Sequence, residues 1–311
     1  MKIRIGTRQS ALALVQAEAV RTALLQHNSE LEVEIVKVVT SGDRRQGTAD
    51  AAVSDKKEWV QEIEEGLLEG RIDLAVHSAK DVPIAIEDGT EVCSVLDRES
   101  PFDCFVIKAE RLPADGSCSL RALRPGAVVG TSSVRRKAQV LRLRPDISVV
   151  AVRGNVPTRL EKLQAIEELD ALILARAGLD RLGLGQRSQG SFDAREFTPA
   201  VNQGVLAVQY RTSDTSLREA VAVLQDSATE SVWRAERSCI EKLGADCNSC
   251  VGVYADCENG TLKIFARVLK PDGSYSIEQE MTGQASEAEQ VGSRLAEELL
   301  KQGAAELLLG S

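Results

Sequence analysis

Apolar and polar positions follow two periods along this chain, and the change-overs between them mark its elements. Residues 2–5 alternate as a strand, and after Gly6-Thr7-Arg8-Gln9-Ser10 the run 11–20 reads as a helix of good formers with Ser10 as its N-cap. Residues 31–39 alternate again and become more apolar toward their end. A polar stretch without a clear period runs to Lys57, and residues 58–68 then return apolar positions at helical spacing. Residues 72–76 form a short apolar strand with His77, Ser78, Lys80 and Asp81 at its carboxyl end, and Pro83 stops the run. Two further strand-like runs lie between Val92 and Ile107, joined through Arg98-Glu99-Ser100-Pro101, and 109–125 reads as a loop.

The opening pattern then returns. Residues 127–129 form a strand, Gly130-Thr131-Ser132-Ser133 a turn and 134–143 a helix, which predicts two similarly built α/β lobes. The strand 147–152 leads to Arg153-Gly154-Asn155, with Pro157 at the start of a following helix, and 172–175 is a buried strand. Residues 198–204 read as a crossing back to the first lobe, where 205–210 supplies another strand; two crossings between the same lobes imply a hinge. Beyond that, 228–243 is helical with Val232, Ala235, Cys239 and Leu243 on one side. Three alternating strands at 251–255, 261–269 and 274–281 turn at Asn259-Gly260 and Asp272-Gly273, and a helix at 287–300 closes a small α+β domain.

In an open α/β sheet the carboxyl ends of strands face the ligand crevice. That makes His77, Ser78, Lys80 and Asp81 candidates for substrate contact, and Arg8 beside a helix N-terminus suits a carboxylate or phosphate. Charge sharpens the picture. The 311 residues carry a formal net charge of −9, which disfavours nucleic acid or an anionic membrane as partner. Yet residues 121–160 hold Arg121, Arg124, Arg135, Arg136, Lys137, Arg142, Arg144, Arg153 and Arg159 against Asp146 alone, so anion binding is expected to be local. Arg135, Arg136, Arg153 and Arg159 are the expected crevice residues, whereas Arg142 and Arg144 fall late in a helix, where solvent or the helix dipole accounts for them.

With no run of about 20 apolar residues and no apolar leader, the chain reads as cytoplasmic. Its seven cysteines are then expected to be thiols. Cys247 and Cys250 form a C-x-x-C pair, but Cys239 and Cys257 lack the partner pair of a zinc ribbon, and the pair lies between a helix and a strand rather than in the usual redox context. A lone exposed thiol used for covalent attachment is the third reading, and spacing alone does not choose among them. No metal is expected.

Taken in order, Thr7-Arg8-Gln9-Ser10, Ala75-Val76-His77-Ser78 with Lys80-Asp81-Val82-Pro83, Gly130-Thr131-Ser132-Ser133-Val134-Arg135-Arg136, Arg153-Gly154-Asn155-Val156 with Thr158-Arg159-Leu160, and Ala177-Gly178-Leu179 resemble the porphobilinogen deaminase (hydroxymethylbilane synthase) family over nearly the whole chain. The resemblance implies two periplasmic-binding-protein-like α/β lobes with a hinge and a small C-terminal α+β domain. The implied bounds are 1–97 with 199–216 for lobe 1, 98–198 for lobe 2 and 217–311 for the last domain. It implies a monomer that condenses four porphobilinogen molecules in tetrapyrrole biosynthesis, with a dipyrromethane cofactor held as a thioether on Cys247. Asp81 would be the catalytic carboxylate. Lys80, Arg8, Ser10, Thr131, Ser132, Arg135, Arg136, Arg153 and Arg159 would bind carboxylates of cofactor and substrate, with Ser78 and Gln203 lining the same cleft and Trp59 covering the cofactor. The chain departs from the family pattern at 54–59, at Ala245-Asp246-Cys247, and at Asn202, where a glycine is usual. A non-catalytic two-lobed anion-binding protein is the alternative.

Overall fold

The computed structural model describes residues 1–41, 57–112, 119–246 and 248–309, without the side chains of 57–59 and 309. The chain divides into two compact units, Met1–Glu99 with Gly204–Trp233, and Ser100–Gln203 with Arg234–Ser311.

In the first unit, β1 (Lys2–Arg8), β2 (Glu32–Val38) and β3 (Leu74–Ser78) are parallel, and β10 (Leu206–Arg211) runs antiparallel between β3 and β4 (Thr90–Val95), giving the order β2-β1-β3-β10-β4. One face of this sheet is covered by α1 (Ala11–His27), whose Ala17, Val20 and Leu24 pack on Ile3, Ile5, Leu74, Val76, Leu206 and Val208. Each fully buried side chain of the larger kinds contributes roughly 1.5–3 kcal/mol. α1 runs past residue 20 because Leu24 continues the buried spacing of Ala17 and Val20. On a different part of the sheet, Ile63 and Leu67 of α2 (Lys57–Leu68) pack with Ile72 and Ala75.

β3 begins two residues later than the apolar run suggests. Asp73 is not a ladder residue of β3: its carboxylate accepts the Arg4 backbone N–H at 2.9 Å and the Arg4 guanidinium at 2.9 and 2.8 Å. His77 and Ser78 therefore belong to the strand, and Ala79–Asp81 is a 3₁₀ turn that carries Asp81 out of it.

The second unit repeats the design. β6 (Val128–Gly130) is parallel to β7 (Ser148–Val150) and β8 (Ala171–Ala175), while β5 (Asp103–Ile107) is antiparallel to β8 and to β9 (Gly190–Ser191), giving β7-β6-β8-β5-β9. β6 is followed by α3 (Val134–Leu143), β7 by α4 (Val156–Ala165) and β8 by α5 (Arg176–Arg181). Gly130 ends β6 where an added Cβ would lie 2.6 Å from Val152 and 2.7 Å from Leu172, so close packing demands a glycine there.

After α6 (Thr215–Ala222) and α7 (Ser227–Leu243), strands β11 (Val251–Glu258), β12 (Thr261–Leu269) and β13 (Ser276–Gln284) form an antiparallel sheet. α8 (Ala288–Lys301) packs on β12 and β13 through a stripe including Val291, Leu295 and Leu299, and α9 (Ala304–Leu309) follows. Arg267 of β12 is 2% exposed and is held by Glu278 at 2.7 Å, Thr198 Oγ1 at 2.9 Å and the Arg195 carbonyl at 2.5 Å. It thereby fastens this sheet to the segment 195–198 and, through Gln139 at 3.3 Å, to α3. Short elements such as β9, α5, α6 and α9 carry too few periods to be read from the pattern.

Candidate functional site

At the carboxyl end of β3, Ser78 Oγ is bonded to the Gln16 side chain of α1, accepting from Nε2 at 2.7 Å. The Ala79 N–H donates to the Val205 carbonyl at 3.0 Å, so the 3₁₀ turn is anchored to the segment that enters β10. From this turn Asp81 emerges exposed and Lys80 half-buried. Burial pushes the His77 imidazole down to about 4, with Gln209 and Asp81 pulling it up and Arg8 pushing it further down, so Asp81 and Arg8 both act on this strand end. Ser10 caps α1, its Oγ accepting from Ala13 N at 3.3 Å, and buried Thr7 donates to the Ala13 carbonyl at 3.1 Å. The first turn of α1 contains no acid.

The second unit presents a matching end. Thr131 Oγ1 accepts from the Ser133 N–H at 3.2 Å, Ser132 Oγ donates to the Val152 carbonyl at 2.9 Å, and Ser133 caps α3. Asn155 caps α4, accepting from Thr158 N at 3.0 Å and Thr158 Oγ1 at 2.9 Å. Arg159 donates to the Gly154 carbonyl at 2.7 Å, and Arg153 is exposed. Neither α3 nor α4 has an acid in its first turn, whereas α7, α8 and α9 each do. The helices that follow β1, β6 and β7 thus carry no acid in their first turns to offset the positive ends of their dipoles.

Much of the arginine excess is used internally. Arg135 and Arg136 are 4% and 6% exposed and both pair with fully buried Asp103 at 2.8 Å. Arg135 also donates to the Thr198 carbonyl at 2.5 Å, and Arg136 to the Ile173 carbonyl at 3.2 Å. Gln203 joins the same carboxylate at 3.0 Å and the Pro101 carbonyl at 2.8 Å. Burial pushes the Asp103 carboxyl up, but Arg135, Arg136 and Gln203 outweigh it and hold it down at about 2. Arg124 pairs with Asp170 at 2.9 Å, and Arg144 pairs with Asp146 and donates to the carbonyls of Leu120, Arg121 and Leu123. Arg142 donates to the Glu196 carbonyl at 2.5 Å, so of the two accounts expected for Arg142 and Arg144, solvent or the helix dipole, simple solvation does not describe either, while both do lie at the C-terminal end of α3. The sequence reading missed Asp103 as the centre of this network; a lone acid opening the apolar run Asp-Cys-Phe-Val-Ile was the available signal.

Cys247 lies outside the described residues, as do the Trp59 side chain and residues 42–56. Its neighbours form a tight turn: Asp246 Oδ1 accepts from Asn248 N at 2.9 Å and Ser249 Oγ at 3.0 Å. Three residues on, Cys250 is 1% exposed and clusters with Ala138 of α3 and Leu269. Burial raises its thiol to about 11 against the opposing effect of Lys137 and Arg135. Cys250 is therefore seated against α3, the helix that follows Thr131 and Ser132. Among the described residues no three His, Cys, Asp or Glu side chains come together as a metal site. At Asn202 the backbone is left-handed, with φ +56°, the conformation that explains a glycine there and that Asn tolerates.

A pair of α/β lobes of one strand order with a small C-terminal α+β domain defines the periplasmic-binding-protein-like class. Solved structures resembling the chain include the methionine-binding protein MetQ, at 14% identity over 72% of this chain and 90% of that one, with a TM-score of 0.45. Another is the periplasmic aliphatic sulphonate-binding protein SsuA from Escherichia coli, at 15% identity over 77% and 70%, with a TM-score of 0.42. Residues 3–219 match the sequence profile "Porphobilinogen deaminase, dipyromethane cofactor binding domain" and residues 232–301 match "Porphobilinogen deaminase, C-terminal domain". The chain belongs to the porphobilinogen deaminase family. Membership supports a transferase of tetrapyrrole biosynthesis with a dipyrromethane cofactor, and does not favour the non-catalytic alternative. Among the described residues no helix is long and apolar enough to cross a membrane.

Proposed function

We propose that the protein condenses four porphobilinogen molecules head to tail into hydroxymethylbilane, releasing ammonia at each addition, as a cytoplasmic monomer. The observation that carries this reading is the set of helix N-termini at the strand ends of both units, capped by Ser10, Ser133 and Asn155 and free of acids in their first turns. Such ends, with Arg8, Lys80, Thr131, Ser132, Arg153 and Arg159 around them, suit the acetate and propionate groups of pyrroles. The donor set fits the dipyrromethane cofactor for the same reason. Cys247 would hold it as a thioether, and when attached it supplies the pyrrole end to which the first substrate is joined.

Asp81 is the proposed catalytic residue. Its carboxyl group protonates the departing amine, the resulting carboxylate offsets the positive charge left on the substrate, and it accepts the proton released once the carbon–carbon bond has formed. Lys80, Arg8 and Ser10 bind side-chain carboxylates in the first unit, while Ser78 is held by Gln16 at the same strand end. In the second unit Thr131, Ser132, Arg153 and Arg159 do the same. Arg135 and Arg136 serve cofactor binding with N–H donors that Asp103, Thr198 and Ile173 leave over, and Gln203 supports them. Trp59 is proposed to cover the cofactor. Asp81→Ala is expected to cut porphobilinogen consumption by at least about 10²-fold while the denatured protein keeps its cofactor mass. A mutant that turns over at near the wild-type rate would remove Asp81 from the mechanism.

A further inference from the structure

One buried feature of the first unit is unused by the chemistry above. A polar row crosses three neighbouring strands: Thr90 of β4, Gln209 of β10 and His77 of β3, each 7% exposed or less, with Glu64 of α2 at 4%. The hydrogen bonds give the row a direction. Thr90 Oγ1 donates to the Glu87 carbonyl at 2.7 Å, so it accepts from Gln209 Nε2 at 2.9 Å. Glu64 Oε1 also accepts from Gln209 Nε2, at 2.9 Å, and from the Glu87 N–H at 3.4 Å. Both amide hydrogens of Gln209 are thereby committed, and its oxygen is what lies 3.1 Å from His77 Nε2. An amide oxygen only accepts, so Nε2 carries a proton, and in the neutral ring Nδ1 then holds the lone pair. The imidazole ends the row four residues before Asp81, with Asp81 and Lys80 of the turn and Arg8 of β1 as the charged groups at this strand end.

We infer that His77 is a positioning residue for Asp81: the row from Glu64 through Gln209 fixes the Nε2–H tautomer of a ring that burial keeps uncharged, so that Asp81 gives and takes its proton beside a neutral group. The inference rests on the catalytic role proposed for Asp81. Burial outweighs the opposite pull of Gln209 and Asp81 on the ring. An imidazolium here would favour the Asp81 carboxylate over the acid, and an acid is what the departing amine requires.

The chain has two histidines, and His27 is exposed at the end of α1, so nitrogen-15 NMR of the full-length protein resolves His77 with His27→Gln for assignment. The expected spectrum has a protonated Nε2 and an unprotonated Nδ1 from pH 5 to 8; the opposite tautomer, or an imidazolium at pH 7, overturns the inference. The charge-conserving exchange of Glu64→Gln with Gln209→Glu moves the carboxylate next to His77. It is expected to make His77 an imidazolium at pH 7. The acid limb of the porphobilinogen rate profile and the Asp81 carboxyl-carbon signal should then move together to lower pH. A His77 that stays neutral, or an imidazolium that leaves the Asp81 signal where it was, overturns it. If the exchange does not fold, Gln209→Met removes the acceptor and is expected to release the fixed tautomer, and an unchanged tautomer is the contrary result. The carboxyl-carbon signal reads Asp81 without turnover, so a chain that consumes no porphobilinogen counts against the proposed reaction and not against the role of His77.

Discussion

Replacing Asp103 by Asn keeps the shape of the side chain and removes the negative charge set against Arg135 and Arg136. All three groups are buried, at 0%, 4% and 6% exposure. Taking one partner from a buried ion pair costs about 3–5 kcal/mol, because the remaining charge is left without compensation in a poorly polarisable interior. A second route gives a similar scale. Asp103 is held at about 2 against 3.8 for a free carboxyl, and each unit corresponds to about 1.4 kcal/mol, so its ionised form contributes about 2 kcal/mol to the folded state. Because the folded value is the lower one, that contribution is present above about pH 4 and is lost as pH falls toward 2. Asp103→Asn should therefore destabilise the second unit by about 2–5 kcal/mol at pH 7. The gap to wild type should narrow in acid. Urea unfolding followed by far-UV circular dichroism measures this; tryptophan fluorescence reports the first unit, which holds both Trp59 and Trp233. A change below about 1 kcal/mol at pH 7, or a gap that stays constant to pH 2, would refute the buried-charge account.

Two further substitutions test the backbone reading. Asn202→Gly should stabilise the protein by about 1 kcal/mol, since it suits φ +56° and removes a buried Oδ1 that has no hydrogen-bond partner, while the backbone N–H keeps its 2.5 Å bond to Glu236. A lowered thermal midpoint would contradict this. Gly273→Ala should destabilise by about 2–4 kcal/mol, since φ is +72° and the new Cβ would lie 2.4 Å from the Ala138 carbonyl oxygen of α3. An unchanged midpoint would mean that Gly273 does not lie against the backbone of α3.

The sequence showed the strand–turn–helix units plainly, because Ser10 was legible as a cap between an alternating strand and a run of helix formers and the pattern returned at 127–143; Ser133 and Asn155 prove to be caps as well. It also showed Asn259-Gly260 as a hairpin, and both residues take positive φ, 50° and 76°. Register was harder to read. Ile72 continues the apolar run, but the tie between Asp73 and Arg4 starts β3 later, and such a tie between residues 69 apart leaves no local trace. The arginine cluster was legible as charge and not as geometry: whether a guanidinium faces a ligand or a buried carboxylate depends on Asp103 and Asp170, which lie outside the 121–160 segment. The row ending at His77 was invisible for the same reason, since Glu64, Thr90 and Gln209 come from three distant elements.

The central claim is a covalent pyrrole cofactor in a working transferase, and the intact mass of the denatured protein, beside a Cys247→Ser control, tests it most directly. The account predicts an added mass of two linked pyrrole units that is absent from the control. An unmodified wild-type chain, even after incubation with porphobilinogen, would contradict it.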